Sequence, residues 1–401
     1  MQEQEKTSVN QPARSAAFVP SARRPLSRRL RLAVILLAAA AFAFIHYLPA
    51  PVPLLTPAGP VPLAAAGKDC LGLLTAAVIL WVFEALDFSM TALIMLALMP
   101  VLGISDGLPV LRDGEITAAA GLREGFYELA RLSFGHRLLL FFVGVFILSG
   151  AINRSGLARR LVLLILKFTG GSPGRIVLGV MAAGCLMAMW ITAVAAAAVM
   201  AVIAAQMLER RRAEPGKSNF GRALMIACCW GPLIGGVGTP AGAAPNPIAI
   251  AYLRDMAGYT LTFLQWMSFG VPICLVLVPA GWLILRLVFP MSGERAGAEL
   301  DPACELAQMG RLSPRELMTL IVFALMAGLW MSAAAIERAT AGLVVLPMEW
   351  VALLGGFALC FPGIGVLSWE EAMKAIPWNA ILLMMASIGL GQMMFETGAA
   401  R

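Results

Sequence analysis

Apolar runs without a single charge dominate the chain: residues 176–208, 223–253 and 256–285 contain none. Each exceeds the roughly 18–20 apolar residues that cross a bilayer as one helix. Backbone groups in lipid must pair within their own segment, so these runs are helices, and the apolar–polar alternation of a membrane barrel is absent. Further spans are predicted at about 32–48, 70–84, 88–104, 137–153, 260–289, 317–336, 350–366 and 378–395. Residues 105–135 are amphipathic and mixed in charge, as expected of a segment lying along the interface. The pattern predicts an all-α polytopic membrane protein.

Two of these runs depart from a simple span. The run 176–208 would measure about 50 Å as one helix, too long for one crossing and too short for two. Arg175 stands before it and Arg210, Arg211 and Arg212 follow it, so both ends favour the cytoplasm. A re-entrant helical hairpin, residues 173–209, satisfies both demands and places Thr192 at its midpoint; one long tilted helix is the competing reading. The run 223–253 carries Gly231, Gly235, Gly236, Gly238 and Gly242 with Pro232, Pro240, Pro245 and Pro247. That density predicts a broken helix over 222–255, two halves joined by an unwound stretch. Broken helices beside hairpins mark transporter binding sites, where helix N-termini offer N–H groups to an anion. Plain helix packing is the alternative use of the glycines.

Composition sharpens this picture. The chain is 60% hydrophobic and 13% charged, about half the charge of a soluble domain. Much of its net charge of +7 sits in the first residues, where Lys6, Arg14, Arg23, Arg24, Arg28, Arg29 and Arg31 face only Glu3 and Glu5. A basic tail before an apolar run is a topology signal, not a nucleic-acid site. It predicts a disordered cytoplasmic tail over 1–30 and a multi-pass protein of the plasma membrane, the inner membrane in a bacterium. A second cytoplasmic loop is expected at 291–316. The seven cysteines contain no C-x-x-C and read as free thiols, and two histidines cannot build a histidine metal site. No nucleophile–base constellation or intramembrane pair of acids stands out, so the chain is not read as an enzyme. A membrane-embedded enzyme remains the weaker alternative.

The segment Leu138–Arg159 is similar to Ile381–Arg401. Both are apolar with a glycine mid-span, and they close on Ser155-Gly156-Leu157-Ala158-Arg159 and Thr397-Gly398-Ala399-Ala400-Arg401. The two run in opposite directions in the predicted topology, as inverted repeats do. Residues 31–290 are then a first repeat and 317–401 the start of a second, expected to be incomplete, with a second hairpin due where the sequence ends.

At these residues the chain resembles the divalent anion:sodium symporter family, over about residues 70–401. Trp81 with Glu84-Ala85 and Thr91-Ala92-Leu93 is similar to one family motif, with Asp87 where proline is usual. Gly235-Gly236-Val237-Gly238-Thr239, Gly242 and Pro245-Asn246 are similar to a second. Phe263-Leu264-Gln265-Trp266-Met267 and Ile376-Pro377-Trp378 follow in the family order. The resemblance implies a secondary active transporter of small anions, a di- or tricarboxylate or sulfate. It also implies sodium as the possible coupling ion, no other cofactor, contact with membrane lipid, a possible homodimer and no nucleic-acid partner.

In the family, a Ser-Asn-Thr tripeptide at each hairpin tip holds sodium and substrate. After Met189-Trp190-Ile191 this chain has Thr192, Ala193 and Val194, with Ala188 and Ala243 where the family has hydroxyls. The resemblance therefore carries the substrate and ion site onto Thr192, Ala193, Val194, Gly238, Thr239, Gly242 and Asn246. The sodium ligands would be Thr192 and Asn246. Asn246 reads equally as a ligand or as the cap of the following half-helix. The departures predict that this chain alone does not perform sodium-driven dicarboxylate uptake. The alternative function is that of an inactive or partner-dependent transporter fragment.

Overall fold

A computed structural model describes residues 27–49, 54–56, 59–61, 65–106, 108–112, 115–119, 121–169, 171–211, 216–291, 301–363 and 365–400. Most of the tail 1–30, most of the proline-rich link after the first span and most of the 291–300 part of the loop lie outside them.

The described chain is helical apart from two short antiparallel ribbons, β1 (Leu54–Thr56) with β2 (Gly59–Val61) and β3 (Pro109–Arg112) with β4 (Glu115–Ala118). The helices of the first half are α1 (Arg28–Tyr47), α2 (Ala65–Val82), α3 (Phe88–Val101), α4 (Gly121–Phe134), α5 (Leu138–Ser155) and α6 (Leu157–Thr169). They continue with α7 (Pro173–Ala188), α8 (Ala193–Arg210), α9 (Asn219–Gly235), α10 (Pro245–Ala257) and α11 (Phe263–Val288). Then come α12 (Pro302–Met309), α13 (Pro314–Ala339), α14 (Met348–Cys360), α15 (Trp369–Ala375) and α16 (Trp378–Glu396). Among the described residues, seven helical stretches are long and apolar enough to cross a membrane. Two predicted spans are shorter than expected: α3 has 14 residues and α14 has 13, about 20 Å each against a 30 Å hydrocarbon core. Pro100 inside the last turn of α3 and Pro362 just beyond α14 account for the early ends.

Local chemistry sets the boundaries. Asp87 caps α3 by accepting from the Ser89 N–H at 2.9 Å. Thr262 with Gln265, Ser313 with Glu316 and Ser368 with Glu371 form reciprocal capping boxes that start α11, α13 and α15. The helix α5 ends on Gly156, whose left-handed φ of 87° lets the chain turn directly into α6. Gly398, which follows α16, has a φ of 80°.

The two halves exchange partners. The helix α5 packs on α13, α14 and α15, whereas α16 packs on α2, α3 and α4. Each of these two long helices thus packs on elements from the other half of the chain. The α5–α14 contact is backbone-close: a Cβ on Gly144 would sit 2.2 Å from the Ala352 carbonyl oxygen. Side chains of α5, α7, α9, α14 and α16 fill the main core, and α1–α4 build a second one against α16.

Ion pairs gather at the two ends of the bundle. At one end Arg159 and Arg210 both reach Glu305 of α12, at 2.9 and 2.7 Å, and Arg160 reaches the buried Glu316 at 2.8 Å. The Trp282 indole donates to the Gly174 carbonyl and the Asn219 amide to that of Pro290. These contacts bring the start of α7, the end of α8 and the start of α9 to one end. At the other end Arg137 lies 3.3 Å from the buried Glu349 and 3.4 Å from Asp255. That ties the start of α5 to α14 and to the end of α10.

Candidate functional site

The charge-free run 176–208 folds as two helices. They are joined at Met189–Thr192, where the chain leaves α7, turns, and restarts with Thr192 as the N-cap of α8. The Thr192 hydroxyl accepts from the Ala195 N–H at 3.3 Å. Trp190 anchors the turn. Its ring stacks on Phe263, which stacks in turn on Trp330 at 4.9 Å between centroids, and Phe323 meets Trp190 edge-on. This column braces the turn against α11 and α13.

The second run breaks at Gly236–Ala244, between α9 and α10. Gly231, Pro232 and Gly235 lie inside α9, and two of them serve packing. A Cβ on Gly235 would fall 2.0 Å from the Cys185 carbonyl oxygen, so the backbones of α7 and α9 touch there. Three groups hold the unwound stretch. The buried Asn246 amide donates to the carbonyls of Gly236 and Thr239, both at 2.7 Å. The buried Thr239 hydroxyl donates to the Met189 carbonyl. The Trp266 indole donates to the Val237 carbonyl at 2.9 Å. An unpaired carbonyl at this depth would cost about 1–3 kcal/mol, and these donors remove that cost.

The turn and the break meet over a cavity of about 1080 Å³. Its walls are Thr192–Ala195 of the hairpin, Pro240–Ala244 of the break, the inner face of α5, and parts of α15 and α16. The wall is mainly apolar; its polar side chains among the described residues are Ser149, Asn153, Arg154, Thr192, Glu371 and Lys374. The first turn of α8, whose leading N–H groups have no carbonyl four residues back, forms part of it.

The sequence-predicted residues divide accordingly. Thr192, Ala193, Val194 and Gly242 line the cavity, and Val194 is 81% exposed. Gly238, Thr239 and Asn246 do not line it. Gly238 packs on Met189, where a Cβ would lie 2.9 Å from the methionine Cγ, while Thr239 and Asn246 knit the break. Asn246 does not cap α10: the helix begins after Ala244 with no side-chain cap, and Asn246 sits within its first turn. Sequence reading missed Ser149, Asn153, Arg154 and Glu371. The polar end of the fourth span, Asn153-Arg154, was the available signal, but only the packing of α15 on α5 puts Glu371 beside it.

Sodium, which the resemblance implies, would need several oxygens directed inward. The side chains here supply few of them: the Thr192 hydroxyl caps α8, the Thr239 hydroxyl donates to Met189, and the Asn246 amide donates to Gly236 and Thr239, so a cation would be held largely by main-chain oxygens, each of which has a second lone pair. Among the described residues no cluster of His, Cys, Asp and Glu offers a metal site elsewhere.

Seven helices of spanning length, with a helical hairpin and a broken helix converging on one cavity, define a polytopic membrane protein of transporter architecture. A family profile described as the citrate transporter matches residues 78–401. The chain belongs to that citrate transporter family, among the divalent anion:sodium symporters. It is 28% identical over 337 residues to the sodium-dependent dicarboxylate transporter SdcS of Staphylococcus saprophyticus, covering 80% of this chain and 61% of that protein. It is 25% identical over 351 residues to a membrane protein of Cupriavidus necator, covering 85% of this chain and 64% of the relative. An uncharacterized transporter of Haemophilus influenzae is 25% identical over 347 residues, with 85% and 68% covered. The chain thus spans a little over three-fifths of the length of the first two. Family membership places it with transporters rather than enzymes.

Proposed function

We propose that the chain forms the substrate-binding region of a secondary carrier for small carboxylates, di- or tricarboxylates being the favoured class. The observation that carries this reading is the cavity shared by the hairpin turn and the helix break, with the first turn of α8 in its wall. A helix start stabilises an anion through its free N–H groups and its dipole, and an apolar surround strengthens that attraction. The relatives named as dicarboxylate transporters and the citrate transporter profile support the same substrate class.

The bundle end that carries Arg154, Arg159, Arg160, Lys167, Arg175, Arg210 and Arg222 faces the cytoplasm in this reading, because lysines and arginines are retained on that side. The cavity wall reaches this end through Arg154, Glu371 and Lys374. Coupling to sodium is not part of the proposal, since the turn and the break offer a cation few side-chain oxygens.

The test is reconstitution. Purified chain in proteoliposomes is given labelled succinate, citrate or sulfate under imposed sodium or proton gradients, with equilibrium binding of the same anions in detergent. Saturable binding or uptake of succinate or citrate, competed by unlabelled carboxylate, is expected. Neither binding nor uptake of any carboxylate contradicts the proposal.

A further inference from the structure

The hairpin turn cannot supply the polar contacts that a doubly charged substrate needs. Ala193 and Val194 bring only backbone to the wall, and the Thr192 hydroxyl is engaged as the cap of α8. A dicarboxylate in a mainly apolar cavity would then hold one charge at the α8 start and leave the other unpaired, which is costly away from water. A cation elsewhere on the described wall would meet that second charge.

The wall holds two cations among the described residues, Arg154 and Lys374. Lys374 pairs with Glu370 at 2.6 Å on the exposed side of α15. Arg154 stands in the last turn of α5, beside a polar strip one turn apart formed by Ser149 and Asn153. Among the described residues its guanidinium, 54% exposed, pairs with Glu371 at 2.5 Å. Glu371 is anchored by its other oxygen, which accepts the Ser368 N–H at 3.1 Å within the α15 capping box. Arg154 therefore already holds a carboxylate at the cavity wall, and that carboxylate belongs to the chain itself. A guanidinium fork has five donors and binds carboxylates in pairs of parallel bonds, so it is suited to exchange one carboxylate for another.

Resting on the carrier reading above, we infer that Arg154 is the second anchor of the substrate and that Glu371 is an internal placeholder the substrate carboxylate displaces. Succinate or citrate would bridge the α8 start and Arg154. Glu371 lowers anion affinity by competing for the guanidinium.

The experiment compares succinate and citrate binding to the whole chain in its wild-type form and as Arg154→Gln, Arg154→Lys and Glu371→Gln, with thermal melting of each. Arg154→Gln is expected to weaken binding by about tenfold or more, Arg154→Lys by less, and Glu371→Gln to tighten it by about threefold to tenfold. Arg154→Gln and Glu371→Gln both remove the ion pair, so a merely structural pair would lower both melting temperatures alike without moving affinity in opposite directions. That result overturns the inference, as does wild-type affinity in Arg154→Gln. A wild-type chain that binds no carboxylate defeats the carrier reading and this inference together. Wild-type binding with unchanged variants defeats this inference alone. If Arg154→Gln does not fold, the ordering of Arg154→Lys below wild type and Glu371→Gln above it decides the matter.

Discussion

The hydroxyl of Thr239, in the break, donates to the main-chain oxygen of Met189, at the start of the hairpin turn. The two irregular segments of the chain are thereby one unit. Where each helix interruption would leave carbonyls unpaired in an apolar interior, the other, or Asn246, supplies the donor. The cavity is shaped by these bonds, so its integrity depends on Thr239 and Asn246, which do not line it.

Thr239→Val keeps the shape and removes the donor. It should lower stability by about 1–2 kcal/mol, because the Met189 carbonyl is left buried and unpaired. Thermal unfolding in detergent checks this, and Thr239→Ser should restore most of the loss.

Asn246→Leu leaves the Gly236 carbonyl unpaired, while the Thr239 carbonyl keeps the Gly242 N–H at 3.2 Å. A loss of about 1–3 kcal/mol is expected, comparable to that of Thr239→Val. If Asn246 acted only as a ligand, the variant would lose anion affinity with an unchanged melting temperature.

Gly235→Ala places a methyl into the Cys185 carbonyl, where nothing flexible can yield. Separation of α7 from α9 should cost about 1–3 kcal/mol. The same change at Gly328, which meets nothing within 4 Å, should be neutral or slightly stabilising through helix propensity. Melting of the two variants side by side measures the difference.

Much of this arrangement is legible in the sequence, for stated physical reasons. A charge-free run too long for one crossing and basic at both ends has to turn, and the turn contains Thr192. The glycine–proline run has to break, but periodicity cannot say where: Gly231 and Gly235 read as breakers and are packing positions inside α9. The Asn246 alternatives, ligand or cap, both missed its donation to carbonyls seven and ten residues back, since a side chain folding onto its own loop leaves no periodic trace. The short α6, α12 and α15 and the two ribbons escaped a reading tuned to long apolar spans. The charged wall at Arg154 and Glu371 is a meeting of two segments distant in sequence, which the pattern of a single sequence does not announce.

Glu371 gives a pH prediction. Its carboxyl lies below the ordinary carboxylate range, chiefly because it accepts the Ser368 N–H, with the charge of Arg154 adding to this. A carboxylate whose folded-state pKa is depressed stabilises the fold above its unfolded value of about 4.3, and that contribution is lost as pH falls through the folded value. Hydrogen exchange across 369–375 should therefore be flat from neutral pH to about pH 5, after correction for intrinsic rates, and rise only in stronger acid. In Glu371→Gln the step should vanish.

Gly174 at the start of α7 accepts from Trp282 near the end of α11, and Asn219, just after α8, donates to Pro290 beyond that same end, so the two ends of the hairpin are expected on one side of the membrane. Single cysteines at Ser172 and Ser218, in a background without native cysteines, should react with an impermeant maleimide from the same side. Labelling from opposite sides would contradict the hairpin.

The most direct test of the shared cavity is protection of its wall by substrate. With Val194→Cys in the cysteine-free background, alkylation is timed with and without saturating succinate or citrate. Slowing of several-fold by carboxylate, but not by an equal concentration of chloride, is predicted, with Leu343→Cys, 89% exposed and away from the cavity, unaffected. Equal rates at Val194→Cys with and without every carboxylate tried would contradict the account.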